Sequence, residues 1–169
     1  MTAAVRTERP ADRAAVRRVH ESAFGGPAEA NLVDGLRGTP AWLPDLSLVA
    51  ESAATGVVGH ALFSVVDLDG GPELLSLGPM GVLEAHQRAG VGTALVEEGL
   101  ARARRTLYPL VVVLGHPTYY PRFGFTPARA LGIGTPYDAP DDAWLALPLA
   151  TYDRSIRGMV RYPAPWREV

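Results

Sequence analysis

QRAGVGTALVEEGL, from Gln87 to Leu100, is the stretch that decides the fold: Gly90 and Gly92 lead into a run with helical spacing. Glycine-rich loops opening onto helices suit phosphate. The first N–H groups of a helix have no partner within it, and the helix dipole adds positive charge there. Glycine removes the Cβ that would hold a phosphate away and permits positive φ. Many such loops add a lysine. This chain has none, because all 16 of its basic residues are arginine. A diphosphate bound here would rest on main-chain donors, with Arg88 as optional help. Gly92 is followed by Thr93-Ala94 where a P-loop needs Lys and a metal-binding hydroxyl, which argues against a nucleotide hydrolase.

The flanking segments give the loop its setting. Upstream, AVRTERPADRAAVRRVHESAF (4–24) predicts a short strand, a turn at Arg9-Pro10 and a helix capped by Asp12, with Val16, Val19 and Ala23 as its apolar stripe. EANLVDGLR (29–37) predicts a second helix, ended by Gly38 and Pro40. LSLVAES (46–52), VVGHALFSVVDL (57–68) and LLSLGPMGVL (74–83) predict three antiparallel strands, the last two joined through Asp69-Gly70-Gly71. That meander argues against a dinucleotide fold, whose loop follows the first strand of a parallel series. Downstream, Val96, Leu100, Ala103 and Leu107 recur on one helical face, and Glu98 with Arg102 forms an i,i+4 pair. LVVVLG (110–115) predicts a buried strand, parallel to the one before the loop because a helix connects them. HPTYYPRFGF (116–125) predicts an aromatic turn, and AWLALPL (143–149) and GMVRYP (158–163) predict two further strands. The fold class is α/β (α+β): a mixed, mostly antiparallel sheet with one β–loop–α–β unit at its centre.

Composition bounds the function. A chain of 169 residues suits one domain, spanning 1–169. Its net charge of −2 argues against nucleic-acid binding through bulk electrostatics. With no cysteine, thiolate catalysis and cysteine zinc sites are excluded. The four histidines are dispersed without metal-ligand spacing, so no metal is expected. The start MTAAVRTERPADRAAVRRVH has no apolar core of a signal peptide, and no stretch approaches the roughly 18 apolar residues of a membrane span. The expectation is a cytoplasmic protein without membrane or nucleic-acid partners.

Two motifs carry a family resemblance. MGVLEAHQRAGVGTALVEEGL (80–100) resembles the central motif of the GCN5-related N-acetyltransferases, Gln/Arg-x-x-Gly-x-Gly/Ala after a strand, matched at Gln87, Gly90 and Gly92. YPRFGF is similar to the family's Tyr-x-Lys/Arg-x-Gly-Phe element at Tyr120, Arg122, Gly124 and Phe125. With LVAES, VVGHALFS, LGPMGV and the terminal G-x-V-R-Y-P, the resemblance covers nearly the whole chain and extends to the YhbS-like bacterial branch. Departures are Glu84 where the family often has Pro, His86 where it often has an aromatic, and His116-Pro117 in place of a long fourth helix.

The resemblance implies acetyl-coenzyme A as cosubstrate, with its pyrophosphate on the loop. The implied coenzyme-binding residues are Met80, Gly81, Val82, Gln87, Arg88, Ala89, Gly90, Val91, Gly92 and Thr93. It also implies that the strand ending Met80-Gly81-Val82 splays from the strand at 110–115, freeing main-chain groups for the pantetheine arm. Tyr120 would be the general acid, since an ordinary phenol near pKa ~10 is matched to an alkyl thiolate. The implied acceptor is a primary amine on a small molecule or peptide. Candidate bases are Glu51, His60 and His116, each with a plain structural role as the alternative. Tyr119 either shapes the acceptor pocket or packs. Glu29 either attracts a cationic amine or belongs to a solvated helix face. A non-catalytic acyl-coenzyme A-binding module and an interaction scaffold remain as competing readings. The tail VRYPAPW can pack on its own sheet or on a second subunit, which leaves a homodimer open.

Overall fold

A computed structural model describes residues 3–169. The strands are β1 (Ala4–Thr7), β2 (Ser47–Ser52), β3 (Gly56–Leu68), β4 (Leu74–Val82), β5 (Leu110–Leu114), β6 (Thr126–Pro127), β7 (Ile133–Gly134), β8 (Trp144–Pro148) and β9 (Gly158–Arg161). The helices are α1 (Arg13–Phe24), α2 (Ala28–Arg37) and α3 (Val91–Ala103). The sheet runs β1-β2-β3-β4-β5-β8-β6, and β9 joins the far end of β3 and pairs with β7. Within the main path every neighbouring pair is antiparallel except β4–β5, the crossover that α3 makes.

The helices take opposite faces of this sheet. Gly81 of β4 lies against Val19, His20 and Ala23 of α1, whereas its neighbours Met80 and Val82 approach Gly92 at the start of α3. Alternation along one strand thus separates the α1 layer from the α3 layer. The main core gathers Val16 of α1, Leu32 and Leu36 of α2, Leu95 and Leu100 of α3, and Phe63 of β3. A second cluster around Trp144 and Ile133 seals the β8–β9 end.

Two local expectations are corrected. Asp12 precedes α1, but its carboxylate makes no cap to that helix. It accepts from the Arg6 guanidinium at 2.8 and 3.0 Å and from the Arg9 N–H at 2.7 Å, which closes the 3-10 turn before α1. Leu107 is not on the buried face of α3: the helix stops at Ala103, the Thr106 hydroxyl donates to the Ala103 carbonyl at 2.6 Å, and Leu107 is 85% exposed. The two-residue strands β6 and β7 carry no periodicity and were not foreseen.

Candidate active site

The site begins with a fault in β4. Between its pairs Leu77↔Phe63 and Met80↔Ala61, Gly78 and Pro79 stand opposite the single residue Leu62, a β-bulge. Pro79 also has no N–H to give a neighbouring strand. Pairing with β5 is confined to Leu75↔Val111 and Ser76↔Val112, while β4 continues along β3 as far as Val82. The edge of β4 from Leu77 to Val82 therefore has no β5 partner, and the expected splay is present.

That gap opens into a cleft of about 970 Å3. Met80, Gly81, Val82, Gln87 and Arg88 line it from the β4 side, and Leu114, Gly115, His116, Thr118, Tyr119, Tyr120 and Arg122 from the β5 side. Ala89 to Thr93 continue from that wall into the first turn of α3. Gly90 adopts the left-handed conformation (φ 85°) that admits the chain to the helix. The Val91 side chain is buried in the core, so only its main chain faces the loop. Gln87 turns its amide back to the Val82 carbonyl at 3.0 Å, which ties the loop to the end of β4. Gly92 has a neighbour the sequence does not reveal. A Cβ there would stand 3.2 Å from the Tyr119 hydroxyl, which lies 3.4 Å from Thr93 Oγ1.

Tyr119 and Tyr120 present their rings edge to face, 5.1 Å between centroids. Arg122 lies over the Tyr119 ring at 4.5 Å and donates to the Tyr119 carbonyl at 3.1 Å. Tyr120 is 8% exposed, and burial, assisted by Tyr119, pushes its phenol up to about 12. The phenol therefore keeps its proton throughout the neutral range, but gives it up less readily than the matched acid the sequence suggested. Its ring passes so close to Gly115 that any Cβ there would overlap it.

The base candidates separate. His116 lines the cleft, and so does Glu29. Glu51 lies away from it and pairs with Arg6 at 2.9 Å. His60 is wholly buried beneath α1, bonded to His20 Nε2 at 2.8 Å and to Ser47 Oγ at 2.8 Å. The Ser47 hydroxyl donates to Glu8, whose other oxygen takes Arg37. Read outward from that carboxylate, the donors fix both tautomers: His60 Nε2–H gives to Ser47, and His20 Nε2–H gives to His60 Nδ1. Burial holds His20 down to about 3, with His60 beside it acting in the same direction, so both rings are neutral braces beneath β4.

Residues from distant segments complete the cleft. Ala23 and Phe24 end α1, Glu29 and Leu32 come from α2, and Tyr137, Tyr162 and Trp166 come from the tail. The three tail rings follow one another with centroids 5.0 Å apart, and the segment Ala164–Glu168 packs on α2. Glu29 was singled out in the sequence, and nothing local there marks the others. Gly78-Pro79 inside a strand pattern was the one signal available for the splay. No group of three or more His, Cys, Asp or Glu side chains is gathered as for a metal among the described residues, and no helix among them is long and apolar enough to cross a membrane.

Comparison with known proteins follows this geometry. The family model described as an acetyltransferase (GNAT) domain matches residues 44–127. The uncharacterized N-acetyltransferase YjhQ of Escherichia coli K12 is 35% identical over 161 residues, covering 91% of this chain and 88% of that protein. The crystal structure of the E. coli GNAT-family N-acetyltransferase YhbS in complex with CoA superposes with a TM-score of 0.89 at 30% identity, covering 99% of this chain and 93% of that one. A GNAT-family acetyltransferase from Brucella melitensis in complex with acetyl-CoA gives a TM-score of 0.79 at 34% identity, covering 96% and 97%.

Proposed function

The chain belongs to the GNAT acetyltransferase family, and from that premise we propose that it carries an acetyl group from acetyl-coenzyme A to a primary amine of a small molecule or peptide. Transfer is by direct attack, with Tyr120 as general acid. The open edge of β4 carries this reading, because it brings unpaired main chain, Gln87 and Arg88 at the entry to the glycine loop, and Tyr120 to one cleft. Relatives of the same fold that hold CoA and acetyl-CoA support the cosubstrate.

In this reading the main-chain donors at 88–93 take the diphosphate, with Arg88 and Arg122 adding charge. The free edge at Met80–Val82 holds the pantetheine arm, and an N–H there stabilises the oxyanion as the amine adds to the thioester carbonyl. The C–S bond then breaks, and the thiolate takes the proton of the Tyr120 phenol. The proton lost by the amine passes to water, and water returns a proton to the Tyr120 phenolate. No thiol of the protein enters the sequence of bonds, since the chain has no cysteine.

The test is thiol release across a panel of amines, run beside thermal stabilisation by coenzyme A. Tyr120→Phe is expected to lower turnover by roughly 10²–10⁴-fold while coenzyme A still raises the melting temperature. Undiminished turnover removes Tyr120 from the chemistry. Stabilisation of the wild type without any turnover turns the assignment to a coenzyme-binding module.

A further inference from the structure

The cleft is electrically lopsided. Its two arginines, Arg88 and Arg122, stand by the loop and the aromatic turn. At the α1–α2 corner, Glu29 supplies the only carboxylate side chain lining the cleft among the described residues. That side chain makes no hydrogen bond or ion pair with another described residue. The other carboxylates of α1 and α2 do pair: Glu21 takes Arg17, and Asp34 takes Arg17 and Arg37. Glu29 is the carboxylate that the helix layer leaves over, and it is left over inside the cleft.

Its surroundings are apolar and aromatic. Phe24 lines the same cleft with 46% of its surface exposed, so its ring is open to a ligand there. Trp166 of the tail, partly exposed, extends that surface, over the buried Leu32 one turn beyond Glu29. Ring faces carry partial negative charge and attract a cation in the same sense as a carboxylate does. A seated diphosphate would offset Arg88 and Arg122, and the Glu29 side chain would be left without a cation among the residues lining the cleft.

We infer that the acceptor is an amine bearing a second positive charge on a hydrocarbon spacer, with the distal cation on Glu29 and the spacer against Phe24 and Trp166. This rests on the acetyltransferase reading and narrows it. Acceptors with a distal carboxylate, such as free amino acids, are disfavoured by the same groups. Because Glu29 is partly exposed, salt weakens the preference.

The experiment compares linear α,ω-diamines with n-alkylamines of equal chain length, by kcat/KM and by calorimetric binding to the protein loaded with coenzyme A. The wild type is expected to favour the diamine by about tenfold, the sum of a half-exposed ion pair and a cation–aromatic contact. In Glu29→Gln the ratio falls towards one, mainly through KM, and in Glu29→Arg it turns towards ω-amino carboxylates. Circular dichroism and the coenzyme A thermal shift report that each variant is folded and loaded. Equal use of both amine classes by the wild type overturns the inference. So does a fall in kcat shared by both classes in Glu29→Gln, which would make Glu29 the base. Calorimetry decides the matter even without turnover: a diamine preference that depends on Glu29 sustains the site, and its absence ends it.

Discussion

Tyr119 and Tyr120 are adjacent in sequence and opposite in surroundings. Tyr120 is enclosed, with Phe125 edge-on at 5.8 Å and Gly115 pressed to its ring, so its phenol is held in one place and kept protonated. Tyr119 instead reaches to the first turn of α3, where its hydroxyl meets Gly92 and Thr93. Room for this phenol is thus a reason for Gly92 to lack a side chain, beside the access for a phosphate proposed above. The two can be told apart. Gly92→Ala is expected to weaken coenzyme A binding about five- to tenfold in the wild type, and by clearly less in a Tyr119→Phe background where the neighbour can give way. Equal penalties in the two backgrounds, measured by calorimetry, would assign the glycine to the ligand alone.

At the scale of elements, the decisive features are the bulge in β4 and the close seat of α3. A Cβ on Gly99 would overlap the Phe63 ring, so the middle of α3 lies directly on β3. Gly99→Ala is expected to lose about 1–3 kcal/mol in urea unfolding despite alanine's better helix propensity, with Phe63→Leu recovering part of it. A stabilising Gly99→Ala would mean that the contact is slack. The sequence announced α3, its loop and the parallel β5, because helical spacing and a β-branched run are local signals. It also named Tyr120, Gly90 and Arg88, which belong to contiguous motifs. Leu107 misled because it continues the spacing of Leu100 and Ala103 past the point where Thr106 closes the helix. Phe24, Tyr137, Tyr162 and Trp166 were illegible as site residues, since the packing of α1 on β4 brings the first to the cleft and the return of the tail onto α2 brings Trp166 with its ring neighbours. His60 looked available in sequence, and its burial under α1 is a tertiary fact.

Over the whole molecule, the chain from Arg37 through Glu8, Ser47 and His60 to His20 joins α2, β1's exit, β2, β3 and α1 beneath the sheet. It ties stability to pH. Burial lowers His20 from 6.5 to about 3, so the unfolded chain takes that proton first, and stability present above pH 6.5 drains away towards pH 3. Glu8 acts in the same direction in a lower window. Burial opposes its charge, but hydrogen bonds from His60 and Ser47 with the charge of Arg37 outweigh that and bring it from 4.5 to about 2. Unfolding free energy is expected to drop on the order of 3 kcal/mol between pH 6.5 and 4, and His20→Gln to flatten that slope. An unchanged slope in the variant would place the acid sensitivity elsewhere. The gap beside β4 draws its walls from both sides of the sheet, Phe24 from one and Tyr119 from the other. A cleft walled from opposite faces has no single element to close it, so a shift of α1 or of α3 against β4 would alter one wall and leave the other standing.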